Sequence, residues 1–286
     1  MPEQIVQTVN FRPLLLIADI CYNFSSLLSV DRETAVHTIT LRKLPFPKSV
    51  SDNMVSPGTP VSTTQAPHPS KNITLVGKHV TIVGISPTHA PAMFAQTGGL
   101  HHSSLFEHLF DGPYETLEQY TADLKTKAAD QSTFFYTILL NDGSEPGKPV
   151  GRYALMRVDT ASRVLEIGHI LFSPLLQRTP AATEAVYLLM EYAFEDLGYR
   201  RIEWKCNSLN EPSKRAALRL GFVFEGLFRQ HMIQRGCSRD TCWYSVVDEE
   251  WERVKGAMRK WLDEENFDRE GKQKRKLEEI RETMIV

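Results

Sequence analysis

The residues best suited to chemistry are concentrated between Glu166 and Ser213. A strand-like run over residues 163–172 carries Glu166 and His169, both able to accept a proton. A short loop follows, and a helix begins near Ala181. The first turn of a helix leaves backbone N–H groups without partners, and its dipole adds partial positive charge, so such an end attracts phosphate. Ala181 and Ala182 are small enough to let an anion reach the backbone, and Arg178 adds a full charge. An ordinary helix start has the same look, so this segment alone does not fix a function. Strand alternation puts Glu166, Gly168 and Ile170 on one face and His169 on the other. Both are candidate bases, Glu166 acting through a water, and alternation keeps the two from easily facing one cavity. The plain structural alternatives are a salt-bridged Glu166 and a core histidine. Ser213 falls in the first turn of a helix capped by Asn210. There its hydroxyl either protonates a leaving group or satisfies helix amides.

These residues need a scaffold, and periodicity supplies one from residue 73 onward. Residues 78–85 read as a strand, 88–96 as a short helix, and 116–129 as a helix with Leu117, Tyr120 and Leu124 on one stripe. Three strands follow in series, 133–140, 149–159 and 163–172. Their short connections make them antiparallel neighbours. Residues 181–197 form the clearest helix, with Val186, Leu189, Met190, Ala193 and Leu197 as its apolar stripe and Gly198 as its stop. A strand at 201–206, a helix from Asn210 to Leu220, strands at 222–233 and 241–247, and a helix from near Asp248 complete the order. The pattern is α+β, with a mixed, mostly antiparallel twisted sheet flanked by helices.

The ends of the chain read differently. Residues 1–72 form an N-terminal extension, and its Pro-, Ser- and Thr-rich stretch over 45–70 has a linker's composition. Residues 266–286 are highly charged and read as a solvated helical tail. The domain expected to carry the chemistry is thus 73–265.

Composition excludes several classes. The 286 residues hold 33 basic and 35 acidic side chains, too even a balance for a nucleic-acid footprint. No stretch approaches the roughly 18 apolar residues of a membrane span. The four cysteines, Cys21, Cys206, Cys237 and Cys242, make no C-x-x-C pair, which suits a reducing, cytoplasmic setting and no metal. The histidine-rich run His101, His102 and His108, with Glu107, reads as a loop near a substrate entrance rather than a metal site.

The segment from Gln177 to Ala185 resembles the acyl-CoA signature of the GNAT superfamily, Q/R-x-x-G-x-G/A. Gln177 and Ala182 match its first and third fixed positions, and Pro180 stands where glycine is usual. Ala182-Thr183-Glu184-Ala185 resembles the start of the cofactor helix in the Rim-type subgroup. Asn210, Ser213 and Leu220-Gly221-Phe222 resemble that subgroup's N-x-x-S…GF segment. The resemblance implies a GNAT-like acyl-CoA N-acyltransferase fold, with the sheet splayed between the strands at 163–172 and 201–206. It implies pantetheine along Leu171 and Phe172. It places the diphosphate on Gln177, Arg178, Thr179, Ala181, Ala182 and Thr183, with Asn210 and Ser213 near the thiol. It also implies a base on the strand at 163–172, which ranks Glu166 first and His169 second. Many such enzymes use a tyrosine as acid later in that helix, where this chain has Ala217. Proline has no N–H, so Pro180 removes one potential phosphate donor.

The implied reaction is attack of a neutral amine on the thioester of acetyl-CoA. A lysine amine of pKa about 10.4 costs about 4.6 kcal/mol to deprotonate at pH 7, whereas an α-amine near 7.8 costs about 1. A protein N-terminus or a weakly basic small-molecule amine is therefore the easier acceptor. The partners expected are acetyl-CoA and that amine, with neither nucleic acid nor membrane, in a monomer or homodimer. Residues 101–116 and 235–240 are the candidate acceptor loops. The competing view is a catalytically silent domain of the same fold that binds acyl-CoA or a partner.

Overall fold

Strand-forming runs that are apolar on both faces must be covered on both faces, and the architecture follows from that. The computed structural model describes residues 58–141 and 146–284. Within residues 60–286, which form one compact unit, eight strands make one sheet in the order β1-β2-β3-β4-β5-β6-β8-β7. They are β1 (Thr74–Val76), β2 (Val80–Gly84), β3 (Phe134–Leu140), β4 (Pro149–Asp159), β5 (Val164–Phe172), β6 (Arg201–Asn207), β7 (Val223–Gln234) and β8 (Cys237–Val247). The helices are α1 (Ala90–Thr97), α2 (Leu117–Ala129), α3 (Pro180–Glu191), α4 (Glu211–Arg219), α5 (Asp248–Leu262) and α6 (Leu277–Glu282). Every strand pair is antiparallel except β5 with β6.

One face of the sheet carries α3 and α5. Tyr136, Ile138, Tyr153, Leu155 and Ile167 pack there against Ala185, Leu189, Trp251 and Met258. The α3 helix is buried nearly all round, from Ala181 to Met190, as expected for a helix held between a sheet and another helix. The other face carries α1 and α2, with Met93, Phe106, Tyr114, Tyr120 and Leu124 around Leu171.

The parallel pairing of β5 and β6 is short. Val164, Leu165 and Glu166 face Arg201, Ile202 and Glu203, and beyond them the strands part. On its other edge β5 carries a bulge. Arg152 and Ala154 of β4 pair with Leu171 and Gly168, so His169 and Ile170 together oppose Tyr153. His169 takes a left-handed backbone, φ 51°, to make this possible.

Four sequence expectations change. The N-terminal strand is a hairpin of β1 and β2, and its turn is held by Glu184 of α3. That carboxylate accepts the backbone amides of Lys78 (2.9 Å), His79 (2.6 Å) and Val80 (2.9 Å). Residues 66–72, expected within the linker, are tied to the domain; residues 1–57 lie outside the described part. Ala66 N–H donates to the Thr160 carbonyl, Tyr199 Oη to the Pro67 carbonyl and Tyr136 Oη to the Ser70 carbonyl. The charged tail is packed rather than solvated, since Leu277 and Ile280 are buried and Arg281 donates to the carbonyls of Leu218 and Arg219. Finally, the turn expected over 235–239 is only Arg235-Gly236. Both take positive φ (49° and 77°), the two-residue geometry that matches strand twist, so Cys237 to Asp240 join β8.

Glu184→Ala leaves three hairpin amides without their acceptor, and each orphaned group costs about 1–3 kcal/mol. The expected outcome is a loss of about 3 kcal/mol in denaturant unfolding, with the far-ultraviolet circular dichroism of the native state retained.

Candidate active site

Where β5 and β6 part, their facing edges leave a wedge, and the chemistry-bearing side chains collect in it. A cavity of about 110 Å³ is lined by Glu166, Gly168 and His169 of β5, by Trp204, Lys205 and Cys206 of β6, by Asn210 and Ser213 at the start of α4, and by Arg239 and Thr241 of β8. His108, Leu109 and Phe110 close one side.

Glu166 is 4% exposed and ion-paired. Its Oε2 meets Arg157 Nη1 at 2.7 Å and Lys205 Nζ at 3.0 Å. Lys205 also meets Glu203 Oε2 at 2.7 Å and lies 3.8 Å from the Trp243 ring centre. Both cations use Oε2, so Oε1 remains for a water or an amine. Gly168 keeps that space open, because a Cβ there would lie 2.5 Å from Met156 Sδ and 3.4 Å from Glu166 Oε1.

Strand alternation placed His169 on the face opposite Glu166. The bulge overturns this: His169 packs its ring 5.1 Å from Phe135 and lines the same cavity as Glu166. Burial, then the nearby Arg152 and Lys127 cations, push its imidazole down to about 4. It is neutral at pH 7, and a proton placed on it there costs about 4 kcal/mol. Beside it lies a buried ionic group. Arg152, 1% exposed, donates through Nη2 to Asp111 (2.7 Å) and through Nη1 to the His169 carbonyl (3.0 Å). Burial alone raises the Asp111 carboxyl, but Arg152 and Lys127 outweigh it and hold the group well below the usual carboxylate range.

Ser213 faces the cavity with a defined polarity. Its backbone N–H donates to its cap, Asn210 Oδ1 (3.1 Å), and its Oγ accepts from Trp204 Nε1 (2.9 Å). An indole N–H only donates, so the hydroxyl proton of Ser213 is directed elsewhere. Cys206 is close by, and burial pushes its thiol up to about 11, which leaves it an un-ionised wall residue.

The residues expected to take the diphosphate lie in the loop between β5 and α3. Gln177 donates through Nε2 to the Phe172 carbonyl (2.8 Å), folding the loop back on the strand. Arg178 takes φ 63°. Thr179 is the N-cap of α3, its Oγ1 accepting from Ala182 N–H at 3.3 Å. Pro180 is the first helical residue, where proline's fixed φ suits the helix and its missing N–H breaks no helical bond. The amides of Arg178, Thr179 and Ala181 have no partner among the described residues. Thr183 differs from expectation: it is buried, its hydroxyl accepts from Arg219 Nη1 (3.0 Å), and its amide has a helical carbonyl four residues back. It is a packing contact to α4. Leu171 is likewise buried, under α1 and α2.

The two predicted acceptor loops meet. Arg235 Nη2 donates to the carbonyls of Phe106 (3.2 Å), Asp111 (3.0 Å) and Gly112 (2.8 Å), and Gln234 Nε2 to that of Leu109 (3.2 Å). Sequence reasoning missed Arg157, Lys205 and Thr241, and included Arg239 only as part of the 235–240 loop. The alternation of Glu203 and Lys205 along a strand with Ile202, Trp204 and Cys206 buried was the available signal that charge pairs meet there. No cluster able to hold a metal occurs among the described residues, and no helix there is long and apolar enough to cross a membrane.

An antiparallel sheet with one short parallel contact, a wedge at that contact and a capped helix start after β5 are the features of an acyl-CoA-dependent N-acyltransferase. Comparisons agree. Residues 79–223 match the family model described as acetyltransferase (GNAT) domain, half of the chain. Uncharacterized N-acetyltransferase YoaA of Bacillus subtilis is 33% identical over 136 residues, 46% of this chain and 75% of that protein. A GCN5-related N-acetyltransferase from Brucella melitensis superposes with TM-score 0.73 at 42% identity, over 77% of this chain and 98% of that one. A Salmonella typhimurium acetyl transferase that modifies the N-terminal serine of a 50S ribosomal subunit protein shares the fold at 16% identity. Its TM-score is 0.52, over 61% of this chain and 99% of that one. The chain belongs to the GNAT acetyltransferase family and resembles its Rim-type members.

The His169 environment has a consequence for pH. An unfolded histidine titrates near 6.5, whereas His169 in the fold titrates at about 4. Between these values the unfolded chain takes a proton that the folded one refuses. The stability from His169 is thus complete above pH 6.5 and lost as pH falls toward 4. Wild-type protein should melt lower at pH 5 than at pH 7.5, and His169→Gln should shrink that difference. An unchanged difference would contradict the assignment.

Proposed function

We propose that the protein transfers an acetyl group from acetyl-CoA to a primary amine, on a protein N-terminus or a small molecule, by direct attack on the thioester. What carries the proposal is the wedge between β5 and β6, with Glu166 and Ser213 in its walls, together with the loop that follows β5, where the amides of Arg178, Thr179 and Ala181 have no partner among the described residues. The loop amides and Arg178 take the diphosphate, and pantetheine follows β5 toward the cavity. Arg178 is exposed and not needed for packing, which suits a side chain that turns toward a ligand.

Glu166 acts as base. Its Oε1 takes the amine proton through a water as nitrogen attacks the carbonyl carbon and a tetrahedral intermediate forms. Collapse breaks the carbon–sulfur bond and releases the amide and the CoA thiolate. A thiol of pKa about 8.5 leaves with little help at pH 7. A hydrogen bond from Ser213 is therefore enough, and the absence of a tyrosine at Ala217 carries little cost. His169, pushed down to about 4 by burial, is neutral at pH 7 and serves as a wall of the cavity. The likeness to Rim-type proteins and the modest deprotonation cost both favour an α-amine over a lysine. A reducing, cytoplasmic setting suits the free thiols of Cys206, Cys237 and Cys242.

Titration calorimetry with acetyl-CoA and with desulfo-CoA should give micromolar binding, weakened at least tenfold by Arg178→Glu. No binding by the wild-type protein would leave the silent-domain view in first place. Glu166→Gln should lower kcat about 100-fold, in the range for loss of a general base, while desulfo-CoA binds as before. Equal turnover by Glu166→Gln would remove Glu166 from the mechanism.

A further inference from the structure

Arg239 and Thr241 are two residues apart on β8 and therefore project to the same face of the strand, into the cavity. Arg239 is 7% exposed and Thr241 is fully buried. The other charged side chains of the cavity are matched: Arg157 with Glu166, and Lys205 with Glu166 and Glu203. Arg239 has no carboxylate partner among the described residues. Its one hydrogen bond is the long contact from Nη1 to Gln234 Oε1 (3.4 Å), and the Phe110 ring centre lies 5.1 Å from the guanidinium. Arg239 Nε and Thr241 Oγ1 are both buried without a hydrogen-bond partner among the described residues.

A buried guanidinium without an anion is a costly arrangement, and so is a buried hydroxyl without a partner. The planar fork of arginine matches a carboxylate, and a hydroxyl beside it supplies a further donor. The cavity lining holds three cations, Arg157, Lys205 and Arg239, and one carboxylate, Glu166; Lys205 has Glu203 behind it as a second partner, whereas Arg239 has no carboxylate partner among the described residues. The cavity of about 110 Å³ is small. On that scale one water takes about 10–15 Å³. A group bound at Arg239 is therefore only a few bonds from one that reacts between Glu166 and Ser213.

We propose that Arg239 and Thr241 bind a carboxylate of the acceptor, so that the amine acetylated by this enzyme lies a few bonds from an acid group. Two sources share that chemistry: the carboxylate of a free amino acid, and an acidic side chain next to the α-amine of a peptide. The identity of the amine rests on the acetyl-transfer reading above, whereas the carboxylate site does not.

The test has two readouts. The first is kcat/KM with acetyl-CoA for the common amino acids against their amides, and for peptides with Asp or Glu in the first two positions against Asn or Gln. The second needs no turnover: calorimetric titration of the desulfo-CoA complex with the N-acetylated acids and N-acetylated amides. The acid form should be preferred at least tenfold in both. Arg239→Gln should reduce that preference below threefold, and Thr241→Val should reduce it less. Thr241→Val also keeps the test open if Arg239→Gln does not fold, which its affinity for desulfo-CoA reports. Whether amino acids or acidic peptides show the preference identifies the source.

Equal use and equal binding of acid and amide would overturn the proposal. So would an equal loss for both forms in Arg239→Gln, because that is the behaviour of a group serving the tetrahedral oxyanion. Turnover without charge preference would overturn the carboxylate site alone. Arg239-dependent binding of the N-acetylated acids without turnover of any amine would support the site and remove the acetyl-transfer reading. No binding of either form would overturn the site.

Discussion

A strand in the middle of a sheet cannot leave its neighbour without stranding backbone donors and acceptors, and the separation of β5 from β6 is the constraint on which the site depends. The strands are paired only from Val164 to Glu166. At the last paired position, Glu166 and Glu203 both bind Lys205, and Arg157 adds a second cation to Glu166. Charge thus fastens the point where backbone pairing ends. A buried ionic group of this kind is seldom a large net source of stability. Here it fixes where the wedge begins, and it holds one carboxylate oxygen while leaving the other open to the cavity. The bulge at His169 adjusts the opposite edge of β5, so the strand stays paired with β4 while its side chains turn toward the wedge.

The loop between β5 and α3 is built economically from residues that also pack. Thr179 caps α3, Pro180 begins it and Gln177 ties the loop to Phe172. Glu184, one turn into α3, points away from the loop and caps the β1–β2 hairpin. Thr183 bonds Arg219, which stacks on Trp261 at 4.5 Å. One short segment therefore sets that loop, the hairpin at one edge of the sheet and the contact to α4.

Much of the fold was legible in the sequence because its elements are strongly periodic. The stripe of α2, the three strands in series and the Asn210 cap each appear where spacing put them, within a residue or two; the helix expected over 181–197 is α-helical only to Glu191 and finishes as a π-helical turn over Tyr192–Asp196. The loop between β5 and α3 takes the form of a capped helix start, which the Thr179–Pro180 sequence also signals. What was not legible depends on partners distant in sequence. Nothing near Glu184 says that its carboxylate will meet amides at residues 78–80. Nothing in the tail announces the burial of Leu277 and Ile280, because a charged run conceals two apolar positions that only the packed structure selects. The face of His169 was misread because a bulge cannot be seen in one strand; it is a mismatch between two. Arg239 reads in sequence as a turn residue beside Gly236, and its burial follows only from how the hairpin folds over the cavity.

On the proposed acetyl-transfer reading, the contacts of Arg235 bear on the rates at which an acceptor comes and goes. Three carbonyls of the 106–112 segment are held by one guanidinium, so the β7–β8 turn and the opposing loop form a finished rim. The entropy of ordering that rim is spent when the chain folds, not when the acceptor arrives. Encounter with a prearranged rim is governed by diffusion and charge, and discrimination between amines then resides in how long each stays.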